Sequence, residues 1–476
     1  MSNQNQEVEF EKALSPLGVW GLALGAMIGW GCFVLPGNTF LPEAGPIGAI
    51  IGLFLGALMV ILISFSYSYL ISKYPVAGGE FVYADTAFGK THAFLCGWFI
   101  SIAYWALIPM NATAVGLVAR YLFPGPLQTF ELYEVAGWTV YGGELIVDIL
   151  AIIIVGCINM RGVQAAGWFQ TAVALGLVGA ILVIASAVFV HGVNFDNLNP
   201  HFAPEKTKLG SVFAVAALAP WAFVGFDCIP QASEEYSFSN KKTKMLLISS
   251  IGIAGLMYVI MNSVTAVVEP WQQALIDYKD WPTGAAVEIL IGKIGIVFLG
   301  IAMLCGIISG LNAFYLAGSR LLYSMSIAEA IPPQFGKLDS KYHVPRFAIV
   351  FMMALAIVAP FFGREVLGWL VDMTAVGASM GFAYTTASAT KLAKMAGDTK
   401  QQVISALGFC FAAFFIVLLV APFSPGRLSP QAWVCLLLWL FMGIIFFMMQ
   451  RKKYYASNAL REKVAGIVEA SEMENK

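Results

Sequence analysis
Twelve apolar stretches of membrane-spanning length recur along the whole chain, at residues 17–41, 46–73, 93–122, 143–160, 165–190, 211–233, 245–268, 294–320, 346–362, 366–390, 402–422 and 431–450. Crossing a bilayer takes about 20 mostly apolar residues. No water is present inside hydrocarbon, so each stretch must satisfy its own backbone polar groups, and the α-helix does this within one segment. The expected fold is therefore all-α and polytopic, with 12 transmembrane helices. Only 12% of the residues are charged, against roughly 25% in an ordinary soluble domain, which argues against a soluble enzyme. A net charge of −1 provides no basic field for nucleic acid.

The charges also orient the chain. With both termini placed in the cytoplasm, 20 of the 27 lysines and arginines fall on the inner side, as the positive-inside rule requires. The first 16 residues lack the basic start and apolar core of a cleaved leader, so the first span is expected to be retained. The expected location is the inner cell membrane, multi-pass, with cytoplasmic N- and C-termini. The seven cysteines all lie in or at the edge of apolar stretches, which suits packing better than a disulfide framework. No metal-ligand spacing is present, and no cofactor is expected.

Two spans are poor continuous helices. The first holds Gly21, Gly25, Gly29 and Gly31 and then Pro36; the sixth holds Pro220, Gly225 and Pro230 around Asp227. Glycine and proline both weaken a helix interior. The spacing of Gly21, Gly25 and Gly29 also fits close helix packing of the small-xxx-small type. Interruptions five spans apart are what two inverted five-helix repeats would show, with a substrate site where the breaks meet. That divides the chain into a cytoplasmic segment 1–16, repeats at 17–190 and 211–390, two additional helices within 402–450, and a cytoplasmic tail 451–476.

A broken membrane helix exposes backbone groups that a zwitterion can satisfy. N–H groups around Gly29, Gly31 and Cys32 suit a carboxylate, helped by the positive helix end. Carbonyls of Met27 and of Trp221 to Val224 suit an ammonium.

Four segments resemble one family. GAMIGWGCF is similar to the GxIIGSGIF signature of the amino acid–polyamine–organocation permeases, and YPVAGGEFVYADTAFG (74–89) to their PxSGGxYxYxxxxFG stretch. FVGFDCIPQASEE (223–235) resembles their sixth span, and SRLLYSMSIAEAIPPQF (319–335) the close of their eighth. The resemblance implies a secondary transporter of the leucine-transporter fold working by alternating access. Carried over by register, Gly29, Trp30 and Gly31 would hold a substrate carboxylate, and Met27, Trp221 and Val224 its amine. Similarity to arginine–agmatine exchangers adds Trp221 as an aromatic gate, Asn111 as a pocket residue and Phe314 as a span-eight aromatic. Trp30 replaces the family's serine, which puts substrate size in question. The family's proton-coupling lysine in span five has no counterpart between Lys90 and Lys206.

Among single residues, Asp227 stands out, because a carboxylate near mid-membrane costs at least about 2.5 kcal/mol unless solvated or paired. It is a candidate for coupling, or for pairing with a cationic substrate group, or for holding the break together. Asn111 makes an interhelical hydrogen bond or touches substrate. Glu80 is a candidate for lining the inner gate, with a solvated loop acid as the preferred reading, and Glu234 and Glu235 read as partners of the basic loop SNKKTK. Trp271 and Trp281 suit a headgroup boundary, and the tail suits a short surface helix touching anionic lipid. The function expected is amino acid transport by exchange, uniport or proton symport, with no catalytic residues. The alternatives are a polyamine or organic-cation permease on the same fold and a non-transporting nutrient sensor. Homo-oligomer formation is left open.

Overall fold
Ser15 starts the first helix by accepting the Gly18 N–H at 3.1 Å, with Pro16 in the first turn, where a missing N–H is tolerated. Helix α1 (Pro16–Ile28) ends at Gly29, whose φ of 44° and ψ of −148° lie outside any helix. The short α2 (Gly31–Leu35) follows, then a π-helical turn at Pro36–Phe40 and α3 (Leu41–Lys73). The computed structural model describes residues 9–122, 125–135, 138–162, 164–279, 281–363 and 365–474. Residues 1–8 of the expected N-terminal segment, and Arg364 and Lys476 of the charge count, lie outside them.

A connecting helix α4 (Gly79–Phe88) leads to α5 (Lys90–Leu122). Strands β1 (Glu131–Val135) and β2 (Trp138–Tyr141) then pair antiparallel. This hairpin departs from the all-α expectation; it sits between crossings, where its backbone need not be buried in lipid. Helices α6 (Gly142–Asn159) and α7 (Gln164–His191) follow. The sixth apolar stretch is cut into α8 (Lys208–Ala216), α9 (Ala219–Ala222) and α10 (Cys228–Gln231). Next come α11 (Thr243–Val267), α12 (Trp271–Asp277), α13 (Pro282–Ile291) and α14 (Lys293–Ile327). The chain closes with α15 (Arg346–Ala356), α16 (Glu365–Met395), α17 (Thr399–Val420), α18 (Pro430–Ala456) and α19 (Ala459–Glu474).

Among the described residues, eight helical stretches are long and apolar enough to cross a membrane. Their outer faces are apolar. On α6 the exposed residues are Ile146, Leu150, Ile154 and Ile158, one per turn, while Leu145, Asp148, Ile152 and Val155 point inward. That polarity is inverted relative to a water-soluble helix and suits lipid as the solvent. The chain is a multi-pass membrane protein.

Helix α1 is enclosed by α7, α11 and α14. Both readings of its glycines hold, at different positions. A Cβ at Gly21 would fall 2.8 Å from Thr171 Cα, and one at Gly25 only 2.1 Å from Ser309 Oγ, so these two let neighbouring helices approach. Gly29 is the break.

Trp271 and Trp281 do not reach a headgroup boundary. Both are buried, and their indole N–H groups donate to Pro200 O at 3.0 Å and to Phe33 O at 2.8 Å. Helices α12 and α13 fold back onto the bundle, and the indoles seal that contact.

Candidate functional site
The two interruptions face one another. In the sixth stretch, Gly225 adopts φ 134°, and a Cβ there would lie 2.8 Å from Ala26 Cβ and 3.1 Å from Met27 N. Only glycine fits this conformation and this gap. One turn away, a Cβ at Gly31 would lie 2.9 Å from Trp221 Cη2 and 2.9 Å from Tyr258 Oη. The indoles of Trp30 and Trp221 meet edge to face at 6.1 Å, and Trp221 Nε1 donates to Met110 Sδ at 3.3 Å. Met27, Gly29, Trp30, Gly31, Cys32, Trp221 and Val224 thus occupy one region.

The backbone of that region is partly engaged. Gly29 N–H still bonds Gly25 O at 2.9 Å, and Phe33 N–H bonds Trp30 O at 3.0 Å. The N–H of Trp30 has no partner among the described residues. Met27 O already accepts from Tyr258 Oη at 3.0 Å, so an ammonium there would share or displace that hydroxyl. Val224 N–H bonds back to Trp221 O at 3.3 Å. Asn111 turns its amide to its own helix, donating to Leu107 O at 2.7 Å, and its Oδ1 lies 2.6 Å from where a Cβ at Gly310 would be. Phe314 is buried on α14, next to Ala313, whose carbonyl faces Cys228 Sγ at 3.7 Å.

Asp227 is 0% exposed. Its Oδ1 accepts the Gly225 N–H at 2.7 Å, holding the turn in shape, and its Oδ2 is buried with no partner among the described residues. Tyr104 Oη donates to the Asp227 backbone carbonyl at 3.2 Å.

Glu80 corrects the expectation of a solvated loop acid: it is 0% exposed. Tyr67 Oη donates to it at 3.0 Å and Gln231 Nε2 at 2.5 Å. Helix α4 packs against α5 and α16 instead of standing in water, which carries Glu80 beneath the sixth-stretch break. Burial pushes its carboxyl well above the usual carboxylate range, the nearby Asp227 carboxylate adds to the rise, and the two donors oppose it.

Glu234 and Glu235 do not pair with SNKKTK. Glu235 takes a fork from Arg320, Nε to Oε1 at 2.7 Å and Nη2 to Oε2 at 3.1 Å, with both side chains buried. Glu234 accepts the Ala77 N–H at 2.9 Å and Lys463 Nζ at 2.9 Å. The tail helix α19 therefore rests on protein, with Arg461 Nε also 3.1 Å from Asp85 Oδ2.

Sequence reasoning missed Tyr67, Tyr104, Gln231 and Tyr258. Their signal was a polar atom inside or beside an apolar run, which must find a partner when buried.

An interrupted membrane helix facing a second interruption, with aromatic rings over the gap, defines the class of helical membrane transporters. The family model described as amino acid permease matches residues 14–448, and the chain belongs to that family, within the amino acid–polyamine–organocation superfamily. It is similar to the methylthioribose transporter of Bacillus subtilis (strain 168), at 26% identity over 95% of this chain and 96% of the relative. It is also similar to the branched-chain amino acid permease BcaP of the same organism, at 24% identity over 95% and 96%. Cationic amino acid transporter 4 of Mus musculus is 23% identical over 82% of this chain and 61% of its own length.

Proposed function
We propose that this protein is a secondary transporter of amino acids. It works by alternating access, as an exchanger, uniporter or proton symporter. The observation that carries the reading is the contact between the two breaks, Gly225 against Ala26 and Met27, and Trp221 against Gly31. Broken helices leave backbone donors and acceptors that a zwitterion satisfies and lipid does not.

In this reading the stretch Pro16–Lys73 makes two crossings, and the broken sixth stretch, α15 and α16 make one each, for twelve in total. Residues 17–190 and 211–390 form inverted repeats, and the helices of 402–450 stand outside them. The face bearing both terminal segments is cytoplasmic, in agreement with the Lys and Arg distribution, and the membrane is the inner cell membrane. The Trp30 N–H, with Gly29, Gly31 and Cys32 beside it, receives the carboxylate. Met27 O, Trp221 O and Val224 O receive the amine. Asn111 and Phe314 border the side chain. Asp227 is the group through which a proton couples: its Oδ1 holds the Gly225 turn, so a change at Oδ2 reaches the break directly. The relatives' names span methylthioribose, branched-chain and cationic amino acids, so the side-chain specificity rests on this chain's own residues.

The test is counterflow in proteoliposomes of the full chain. Labelled amino acid should accumulate against a preload of the same compound, and Trp221→Ala should abolish it. Asp227→Asn, which retains an acceptor for Gly225 N–H, should leave counterflow intact and remove uptake driven by a pH gradient. Absence of counterflow with every amino acid tried would overturn the reading. Gradient-driven uptake that survives Asp227→Asn would remove the coupling role.

A further inference from the structure
On the side of Trp30 away from the terminal segments lies a cavity of about 330 Å³, at the lower end of the ~300–1,000 Å³ usual for small-molecule sites. Its wall includes Trp30 and Leu35 of the first stretch, Thr113 and Leu117 of α5, and Tyr141. Two acids of α6 also line it, Glu144 and Asp148. They differ in their partners. Glu144 is neutralised by Arg120, whose Nε and Nη2 donate to it at 2.7 and 2.6 Å, and whose guanidinium lies 5.5 Å over the Tyr141 ring.

Asp148 makes no ion pair among the described residues: Arg120 acts on it only from beyond ion-pair range, and the like charge of Glu144 outweighs it. Its Oδ1 accepts the Gly116 N–H at 3.0 Å, and a Cβ at Gly116 would fall 2.9 Å from that oxygen, so glycine is what lets the carboxylate sit there. Its Oδ2 has no hydrogen-bond partner or ion pair among the described residues. Asp148 is 6% exposed. A carboxylate this deeply buried, with one backbone bond and an open oxygen at a cavity, is a site for a cation. Leu35, Leu117 and Val140 offer apolar wall for a methylene chain, and the Trp30 indole offers a ring for cation–π contact.

We propose that this cavity binds an ammonium group through Asp148, and that the compounds it admits are amino acids or amines with a cationic group at the end of an apolar stem. The assignment rests on the transport reading above and narrows its substrate class. Bound there, the ligand sits on Trp30, one ring away from the break.

The experiment is calorimetric binding to the purified full-length chain. The probes are L-lysine and L-norleucine, which share the α-amino and carboxyl groups and the stem and differ by the terminal ammonium. Because a hydrogen bond to a charged group exceeds a neutral one, the wild type should bind lysine about tenfold or more tighter than norleucine. Asp148→Asn keeps an acceptor for Gly116 N–H and should bring the two affinities together with norleucine binding unchanged, which also reports that the variant folds. Asp148→Glu should keep a preference for lysine. Equal affinities in the wild type, or a lysine preference that survives Asp148→Asn, would overturn the assignment while leaving amino acid transport standing. Binding of neither probe to the wild type would overturn this assignment, and the transport reading would then stand or fall separately on counterflow with the other amino acids.

Discussion
The two faces of the molecule are closed by different means. On the face that carries the terminal segments, closure is ionic and draws on distant parts of the chain: Arg320 of α14 forks onto Glu235, and Phe10 stacks edge to face on Tyr323 at 4.9 Å. Leu14 exchanges backbone bonds with Glu235 O at 2.9 Å and Ser237 N at 3.0 Å. Lys463 reaches back from the tail to Glu234. On the opposite face a cavity of about 330 Å³ remains with Trp30 in its wall, and the Trp221 indole meets that of Trp30 edge to face at 6.1 Å. Ion pairs at one end and rings at the other mean that the ends are opened by different perturbations. In the carrier proposed above, which would open one end at a time, that difference would give each end its own control.

The comparison breaks most severely at Arg320. Arg320→Met leaves Glu235 buried without a counter-charge, and removing one partner of such a pair costs about 3–5 kcal/mol. A large fall in melting temperature of the detergent-purified protein is expected, with substantial recovery in Arg320→Met/Glu235→Leu. An unchanged melting temperature would show that the fork does not hold this face.

A smaller effect is expected at the rings. Cys32, two residues on from Trp30, is fully buried. In a variant retaining Cys32 as its one cysteine, Trp30→Ala should raise labelling by a small water-soluble thiol reagent about tenfold, since reactivity follows exposure. Labelling that stays slow would mean that Trp30 does not divide cavity from break.

The smallest effect is expected at the tail. Lys463 and Glu234 are partly exposed, and pairs of that kind contribute about 0.2–1 kcal/mol. Lys463→Ala should lower the melting temperature only slightly, far less than Arg320→Met, and more so at low salt. A loss equal to that of Arg320→Met would place the tail at the centre of closure instead of its margin.

Much of this fold was legible residue by residue. The apolar stretches correspond to helices because lipid leaves the backbone little choice. The interruptions at Gly29 and around Gly225 were legible because glycine and proline act locally, on their own φ/ψ and their own hydrogen bonds. The acids were not. Glu80 looks like a loop residue beside two glycines, yet it is met by Gln231, which lies 151 positions later. Glu235 precedes a lysine-rich loop and ignores it for Arg320, 85 positions away. Trp271 and Trp281 carry the composition of an interface belt and are drawn inside by carbonyls at Pro200 and Phe33.

The sequence by itself determined where the chain is helical, where it breaks and that its surroundings are apolar, because those follow from period, length and backbone chemistry within a few residues. Which charge meets which, which carboxylate is left facing a cavity and which end of the molecule is closed were decided by tertiary structure. In a low-dielectric interior a charged group takes whatever partner the packing brings within about 3 Å, and nothing in its neighbours along the chain specifies that partner.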